Sequence, residues 1–528
     1  MAFPKLDRKP LYAPRGAVAT SQPLAAAAGL AALRSGGNAV DAAIATAITL
    51  TVVQPASNHV GSDLFALVWD GTRLHGLNGS GRTPVALTAA EVRRGGKLTV
   101  PLRGWLPVTV PGAPRAWQDL HERFGRLPFE DLFRDAIEYA ERGYPVSPTA
   151  AHHWQEAIAE SGHLSGPEFE GFLPMFAPGG RAPAAGQRWH SPALADTLRR
   201  IAATGAADIY TGKTAARIAT FAQRTGGYMT EADLAGHTST WVQPIAAAYR
   251  GYDVWELPPN GQGLAALLAL NILGGFDMPS YQSGERYHLQ IEATKLALCD
   301  AHRYIADPER ATVPVAGLLA PEYARQRRAL IGARALVPHP GEPHRGGTVY
   351  LCSADADGGM VSLIQSNYLG FGAHIVAPGT GVSLQCRGAG FSLDDEHPNC
   401  LAPGKRPYHT IIPGFLTRDG LPVGPFGIMG GHMQPQGHLQ LISNTVDYGM
   451  DPQAALDAPR WYWAQERRVH MEPRVPSAIR AALAERGHEI TTDHAVDLVG
   501  CGQAIWRLTG GGYVAGTEPR ADGCALGY

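Results

Sequence analysis

Thr348 stands where a loop becomes a strand, and that position gives a threonine a chemical use. Upstream, Pro338-His339-Pro340-Gly341-Glu342-Pro343-His344-Arg345-Gly346-Gly347 holds too much proline and glycine for a helix or a central strand. Downstream, Val349, Leu351 and Ser353 alternate with their neighbours as a half-buried strand does. If the Gly347–Thr348 peptide bond is cut, one residue carries both a hydroxyl nucleophile and a free α-amine. Such an amine titrates near pH ~8, so an unprotonated fraction is present at neutral pH to act as general base. The bland alternative is a linker meeting a strand, with Thr348 present for its β-propensity. An acyl-transfer site also needs donors for the developing oxyanion. Gly430-Gly431 is the candidate, because glycine lets backbone N–H groups approach a ligand with no side chain in the way. Its alternative is a plain tight turn.

The elements that must position these residues follow from periodicity and punctuation. Gln22 to Ser35 and Ala39 to Thr51 are alanine-rich and helical, split by Gly36-Gly37. Leu64 to Trp69 and Leu74 to Leu77, joined through Asp70-Gly71, predict a β-hairpin. Pro107 to Pro111 leads into a helix beginning near Gly112. Phe129 to Arg142 predicts an amphipathic helix stopped by Gly143. The chain then reads as mostly helical to about Thr240. Strand character returns over Ile245 to Leu257, and helices follow at Gly263 to Leu273 and Tyr287 to Ile305. After Thr348 strands dominate, with helices at His438 to Tyr448, Pro452 to Ala458 and Ser477 to Arg486. A helical first part and a strand-rich second part point to an α+β fold.

Composition excludes several function classes. With 45% apolar and 17% charged residues, the chain has the material for a sizeable core and is not a disordered one. A formal net charge of −2 and no Lys/Arg-rich run argue against nucleic acid and anionic membrane surfaces as partners. No apolar run approaches the ~20 residues of a membrane span, and the first ten residues lack the apolar core of a secretory signal. Six cysteines without CxxC spacing read as thiols of a reducing compartment rather than a disulfide framework or metal site. A cytoplasmic enzyme without metal or organic cofactor is the expectation.

Further motifs, in order, are Arg34-Ser35-Gly36-Gly37-Asn38-Ala39-Val40-Asp41-Ala42-Ala43, Gln365-Ser366-Asn367-Tyr368-Leu369-Gly370-Phe371-Gly372, Pro403-Gly404-Lys405-Arg406-Pro407-Tyr408-His409-Thr410 and Gly427-Ile428-Met429-Gly430-Gly431-His432. As an ordered set, with Thr348, they resemble the γ-glutamyltransferase family of N-terminal-nucleophile hydrolases, over nearly the whole chain. The resemblance implies one αββα sandwich, made as a zymogen and cut autocatalytically. Residues 1–347 would be the large-subunit segment and residues 348–528 the small-subunit segment, the two fragments staying together as partners. It implies Thr348 as nucleophile and Gly430 and Gly431 as oxyanion donors. Aligned on Phe371-Gly372, Ser366 takes the place of a family threonine that hydrogen-bonds the nucleophile; its alternative is a strand serine without a partner. Val349 stands where many members have a second threonine, and Tyr368 replaces an asparagine that contacts substrate.

Substrate recognition departs most from the family pattern. Where γ-glutamyl-processing members hold the substrate carboxylate with an arginine, Leu77-Asn78-Gly79-Ser80-Gly81-Arg82 offers Ser80, with Arg82 displaced by two residues. The acidic residue expected before a phenylalanine is missing from Gln385-Cys386-Arg387-Gly388-Ala389-Gly390-Phe391. His409 and Thr410 replace two serines, and the span from Phe391 to Lys405 is too short for the family's lid. Arg82 or Arg387 could hold a carboxylate instead, the alternative for each being a structural ion pair. Asn58-His59 could line the pocket, though His59 reads as structural. The expected function is hydrolysis of a small amide such as oxamate. The rivals are a γ-glutamyl (glutathione) hydrolase or transpeptidase, hence an acyltransferase, a cephalosporin-type acylase, and an unprocessed inactive binding protein. Assembly into a homo-oligomer is left open.

Overall fold

The computed structural model describes residues 8–338 and 347–528. Apart from its two ends, the run Pro338 to Gly347 therefore lies outside the described residues. Two seven-stranded antiparallel sheets dominate. The first runs in the order Leu11–Ala13, Tyr513–Thr517, Cys501–Arg507, Leu421–Met429, Gly414–Arg418, Tyr252–Glu256, Ile245–Tyr249. The second runs Cys524–Gly527, Ala17–Thr20, Gly347–Ala354, Met360–Tyr368, Asp63–Trp69, Leu74–Gly79, Thr240–Val242. Strands from before and after residue 347 are thus interleaved in both sheets.

The burial pattern explains why the strands stack as they do. Phe65, Leu67, Tyr350, Cys352 and Ile364 of the second sheet pack against Phe415, Met429, Cys501 and Ile505 of the first. Alternate residues on the same strands face outward onto helices, as a period of two requires. Leu64, Ala66, Val349, Leu351 and Leu363 meet the helix Ala39–Val53. Val254, Leu416, Phe426 and Ile428 meet Gly263–Leu273, Gly284–Tyr304 and Met433–Val446. The result is the expected αββα sandwich of the N-terminal-nucleophile type. Every residue of Ala39–Val53 is buried, which accounts for a helix apolar all round. It is opened by a capping box between Asn38 and Asp41.

Several boundaries differ from expectation for local reasons. The stretch Phe129 to Arg142 is a 3-10 turn, Phe129–Phe133, followed by the helix Arg134–Arg142. The strand character expected over Ile245 to Leu257 takes the form of a hairpin, with Arg250 and Gly251 turning at φ +50° and +82°. The helix expected from His438 begins at Met433, because Pro435 falls in the first turn, where a missing N–H costs nothing. All six thiols are free, and among the described residues no helix is long and apolar enough to cross a membrane.

Candidate active site

Thr348 is the second residue of the strand Gly347–Ala354 inside the second sheet. There the register breaks: Gly347 pairs with Tyr368 but Val349 with Gln365, so Ser366 and Asn367 both face the single residue Thr348. An extra residue of this kind interrupts the ladder and re-aims side chains. Here the two hydroxyls come together, Thr348 Oγ1 lying 3.2 Å from Ser366 Oγ. Thr348 also forms part of the wall of a cavity of about 380 Å3, beside Met429, Gly430, Gly500 and Cys501.

Gly430 and Gly431 turn the chain between the strand Leu421–Met429 and the helix Met433–Val446, with φ of +130° and +61°. A Cβ on Gly430 would stand 3.2 Å from the Cα of Gly500, so the residue is glycine for steric as well as torsional reasons. Their carbonyls accept from Met433 N–H and Gln434 N–H, while their own N–H groups have no acceptor among the described residues. Free donors at the positive end of a 14-residue helix suit a developing negative oxygen. Gln262 steadies the turn: its Nε2 donates to Gly431 O at 2.9 Å and to Thr410 O at 2.7 Å, and its Oε1 accepts from Tyr408 O–H at 2.9 Å.

From Ser366 a second group of residues runs into the interior. Ser366 Oγ accepts from Tyr368 N–H and from Arg387 Nη2, each at 2.9 Å. Arg387 Nη1 donates to Thr410 Oγ1 at 2.6 Å, and the guanidinium lies 4.5 Å from the Tyr368 ring centre. Arg387 is fully buried and its Nε has no partner among the described residues. Burial pulls its pKa down to about 10, against the attraction of Asp63. Asp63 sits opposite Ser366 in the sheet. Its carboxylate accepts from Gly81 N–H at 2.9 Å, Gln385 Nε2 at 2.7 Å and His409 Nε2 at 3.0 Å. Because His409 Nδ1 accepts from Ile411 N–H, the imidazole proton belongs on Nε2. Burial pushes the Asp63 carboxyl up to about 7, with Arg387 the largest opposing influence. Burial, then Arg387 and Arg406, hold His409 well below its ordinary range.

The structure thus sets Ser366 against Thr348 and places Thr348 and Gly430 on one cavity, with Gly431 next along the chain, while Ser366, Gly431, Tyr368, Arg387, His409 and Thr410 are off its wall, most of them in the interior network. Ser80 and Arg82 are elsewhere. Ser80 Oγ donates to Asn78 Oδ1 at 2.7 Å, closing its own turn. Arg82 pairs with Glu309 at 2.8 Å and Asp307 at 3.3 Å, which is the ion-pair alternative read from the sequence. Asn58 Nδ2 donates to Leu50 O and Gln54 O at the end of the helix Ala39–Val53. His59 is buried edge-on to Phe176, and burial lowers its pKa to about 3. No residue of 391–405 is on the cavity wall. Sequence reasoning missed the ionisable residues that are: Arg103, His153, Glu156, Glu160 and Asp497. They come from three separate segments with no shared spacing. Only the glycine after Arg103, at φ +86°, marks a constrained loop.

The chain resembles known proteins over nearly its whole length. A family model described as gamma-glutamyltranspeptidase matches residues 25–528. The chain is 37% identical over 519 residues to a glutathione hydrolase-like proenzyme, YwrD, of Bacillus subtilis, covering 96% of this chain and 97% of that protein. It is 35% identical over 522 residues to an oxamate amidohydrolase proenzyme of Klebsiella pneumoniae, covering 96% and 97%. A crystal structure of a cephalosporin acylase from Bacillus halodurans superposes with a TM-score of 0.97 at 52% identity, covering all of this chain and 98% of that one.

Proposed function

The chain belongs to the gamma-glutamyltranspeptidase family and is a hydrolase of that family, and from that premise we propose a self-processing threonine amide hydrolase. The observation that carries the proposal is the meeting of Thr348 Oγ1 with Ser366 Oγ at 3.2 Å, on a cavity shared with Gly430. In maturation, Thr348 Oγ attacks the Gly347 carbonyl carbon, the peptide C–N bond breaks, and water hydrolyses the resulting ester. Residues 1–347 and 348–528 are then two fragments, held by the interleaved strands of both sheets. Separating them would expose apolar sheet surface at about 25 cal/mol per Å2.

In turnover, the free α-amine of Thr348 takes the hydroxyl proton as Oγ adds to the substrate carbonyl. Gly430 and Gly431 N–H groups hold the oxyanion, and the amine passes its proton to the departing nitrogen. Water, deprotonated by the same amine, then releases the acid. Ser366, accepting from a guanidinium, keeps a polarised hydroxyl beside the nucleophile throughout. The substrate is a small amide bearing a carboxylate, oxamate being the smallest candidate, a reading supported by likeness to the Klebsiella enzyme. A cavity of about 380 Å3 has room for more than oxamate, and with the likeness to the Bacillus halodurans acylase it favours a second reading, a longer acyl chain. Ser80 in place of the carboxylate-binding arginine weighs against a γ-glutamyl substrate. The test is processing by gel and intact mass beside Thr348→Ala, followed by product release from oxamate, a γ-glutamyl anilide and a longer acyl anilide. An uncut wild-type chain defeats the mechanism.

A further inference from the structure

The arginines that the sequence offered for a substrate carboxylate are engaged elsewhere, and the cavity has another. Arg103 is on its wall with a 15% exposed side chain. Its Nη1 donates to Gly370 O at 3.1 Å and to Gly372 O. These bonds, with Gly104 N–H on Ala373 O at 3.0 Å, fasten the loop to the turn that follows Ser366. The rest of the guanidinium is barely used. Nη2 has only a 3.4 Å contact with Glu160, whose side chain is 69% exposed, a pairing of little energetic weight. The Nε/Nη2 edge is one of the two forks with which arginine grips a carboxylate. Glu156 and Asp497, also on the wall, are exposed and solvated, so their field is screened.

We propose that Arg103 is the specificity-determining residue of this cavity, its Nε/Nη2 edge holding a carboxylate on the acyl group of the substrate after displacing Glu160. The assignment rests on Thr348 being the nucleophile of the same cavity. It defines the substrate class as amides whose acyl group ends in a carboxylate, and makes Glu160 a competitor for the same fork.

The test compares the p-nitroanilides of glutaric acid and of its monomethyl ester on the processed enzyme, with glutarate binding measured by calorimetry on the same proteins. In the wild type the acid should have the lower KM. Arg103→Ala should raise the acid-to-ester ratio of KM on the order of 10- to 100-fold and weaken glutarate binding by a similar factor. Arg103→Lys, keeping the charge but not the fork, should fall between. Glu160→Gln should lower KM for the acid and not for the ester. Equal losses on acid and ester in Arg103→Ala, or glutarate binding indifferent to Arg103, would overturn the proposal and leave Arg103 as a clamp of the turn. If the chain neither cuts itself nor turns over either anilide, the catalytic reading fails, and glutarate binding still decides the role of Arg103.

Discussion

Arg387 and Arg103 both serve the neighbourhood of Thr348, and they do so in different physical settings. Arg387 has no exposed surface, donates to Ser366 and Thr410, and lies over the Tyr368 ring with Asp63 as its counter-charge. Arg103 is partly open to the cavity, donates to backbone carbonyls through one nitrogen, and leaves its other edge to a weak contact. A buried cation committed to fixed hydroxyls positions Ser366, the neighbour of Thr348, because leaving it unpaired in the interior costs too much for it to move. A partly open cation with a spare fork can exchange partners. The same side chain is therefore scaffold in one place and, on the proposal above, recognition in the other. Burial and unused donors decide between them, not residue type.

Removing each cation should expose the difference. Arg387→Ala strands Ser366, Thr410 and the Asp63 carboxylate in the interior, and should lower stability by roughly 3–5 kcal/mol, read as a lower denaturant midpoint. Asp63→Asn probes the same network through pH. The carboxyl is raised from 3.8 to about 7 in the folded protein, so the folded state holds this proton more tightly than the unfolded chain. The stability this adds is present below the unfolded value and is lost as pH rises through about 7. Relative to Asp63→Asn, the wild type should therefore lose on the order of 4 kcal/mol between those limits in a Tm series against pH. A flat difference would mean that Asp63 is ionised throughout. Arg103→Ala should have the smallest effect on stability, about 1 kcal/mol from two carbonyl hydrogen bonds at a partly open site, although its effect on KM is large. A stability loss as great as that of Arg387→Ala would dissolve the distinction.

The sequence carried the fold because its signals were local. The hairpin around Asp70-Gly71, the helix Gly263–Leu273 and the strand after Gly347 each follow from a few residues of periodicity and punctuation. The settings of Thr348 near the start of a strand and of Gly430 in a turn were legible for the same reason, since neighbouring glycines announce each, whereas the roles proposed for them came from the family resemblance. The direction of Arg387 was not legible, since Ser366 and Thr410 reach it from 21 and 23 residues away along the chain. Nor was Arg103, which meets Gly370 across 267 residues. Ser80 stood at the place of the family's arginine and Arg82 two residues beyond it, but Asn78 and the acids Asp307 and Glu309 claim their side chains. Side-chain partnership across distant strands is a tertiary fact that single-sequence patterns do not encode.

The central claim is that Thr348 is made into an N-terminal nucleophile by cleavage of the bond before it. Intact mass on freshly purified wild type beside Thr348→Ala tests it most directly. The account predicts two wild-type masses, for residues 1–347 and 348–528, and a single uncut mass for the variant. A wild-type chain that stays whole while still hydrolysing amides, or a variant that is cut at the same bond, would contradict it.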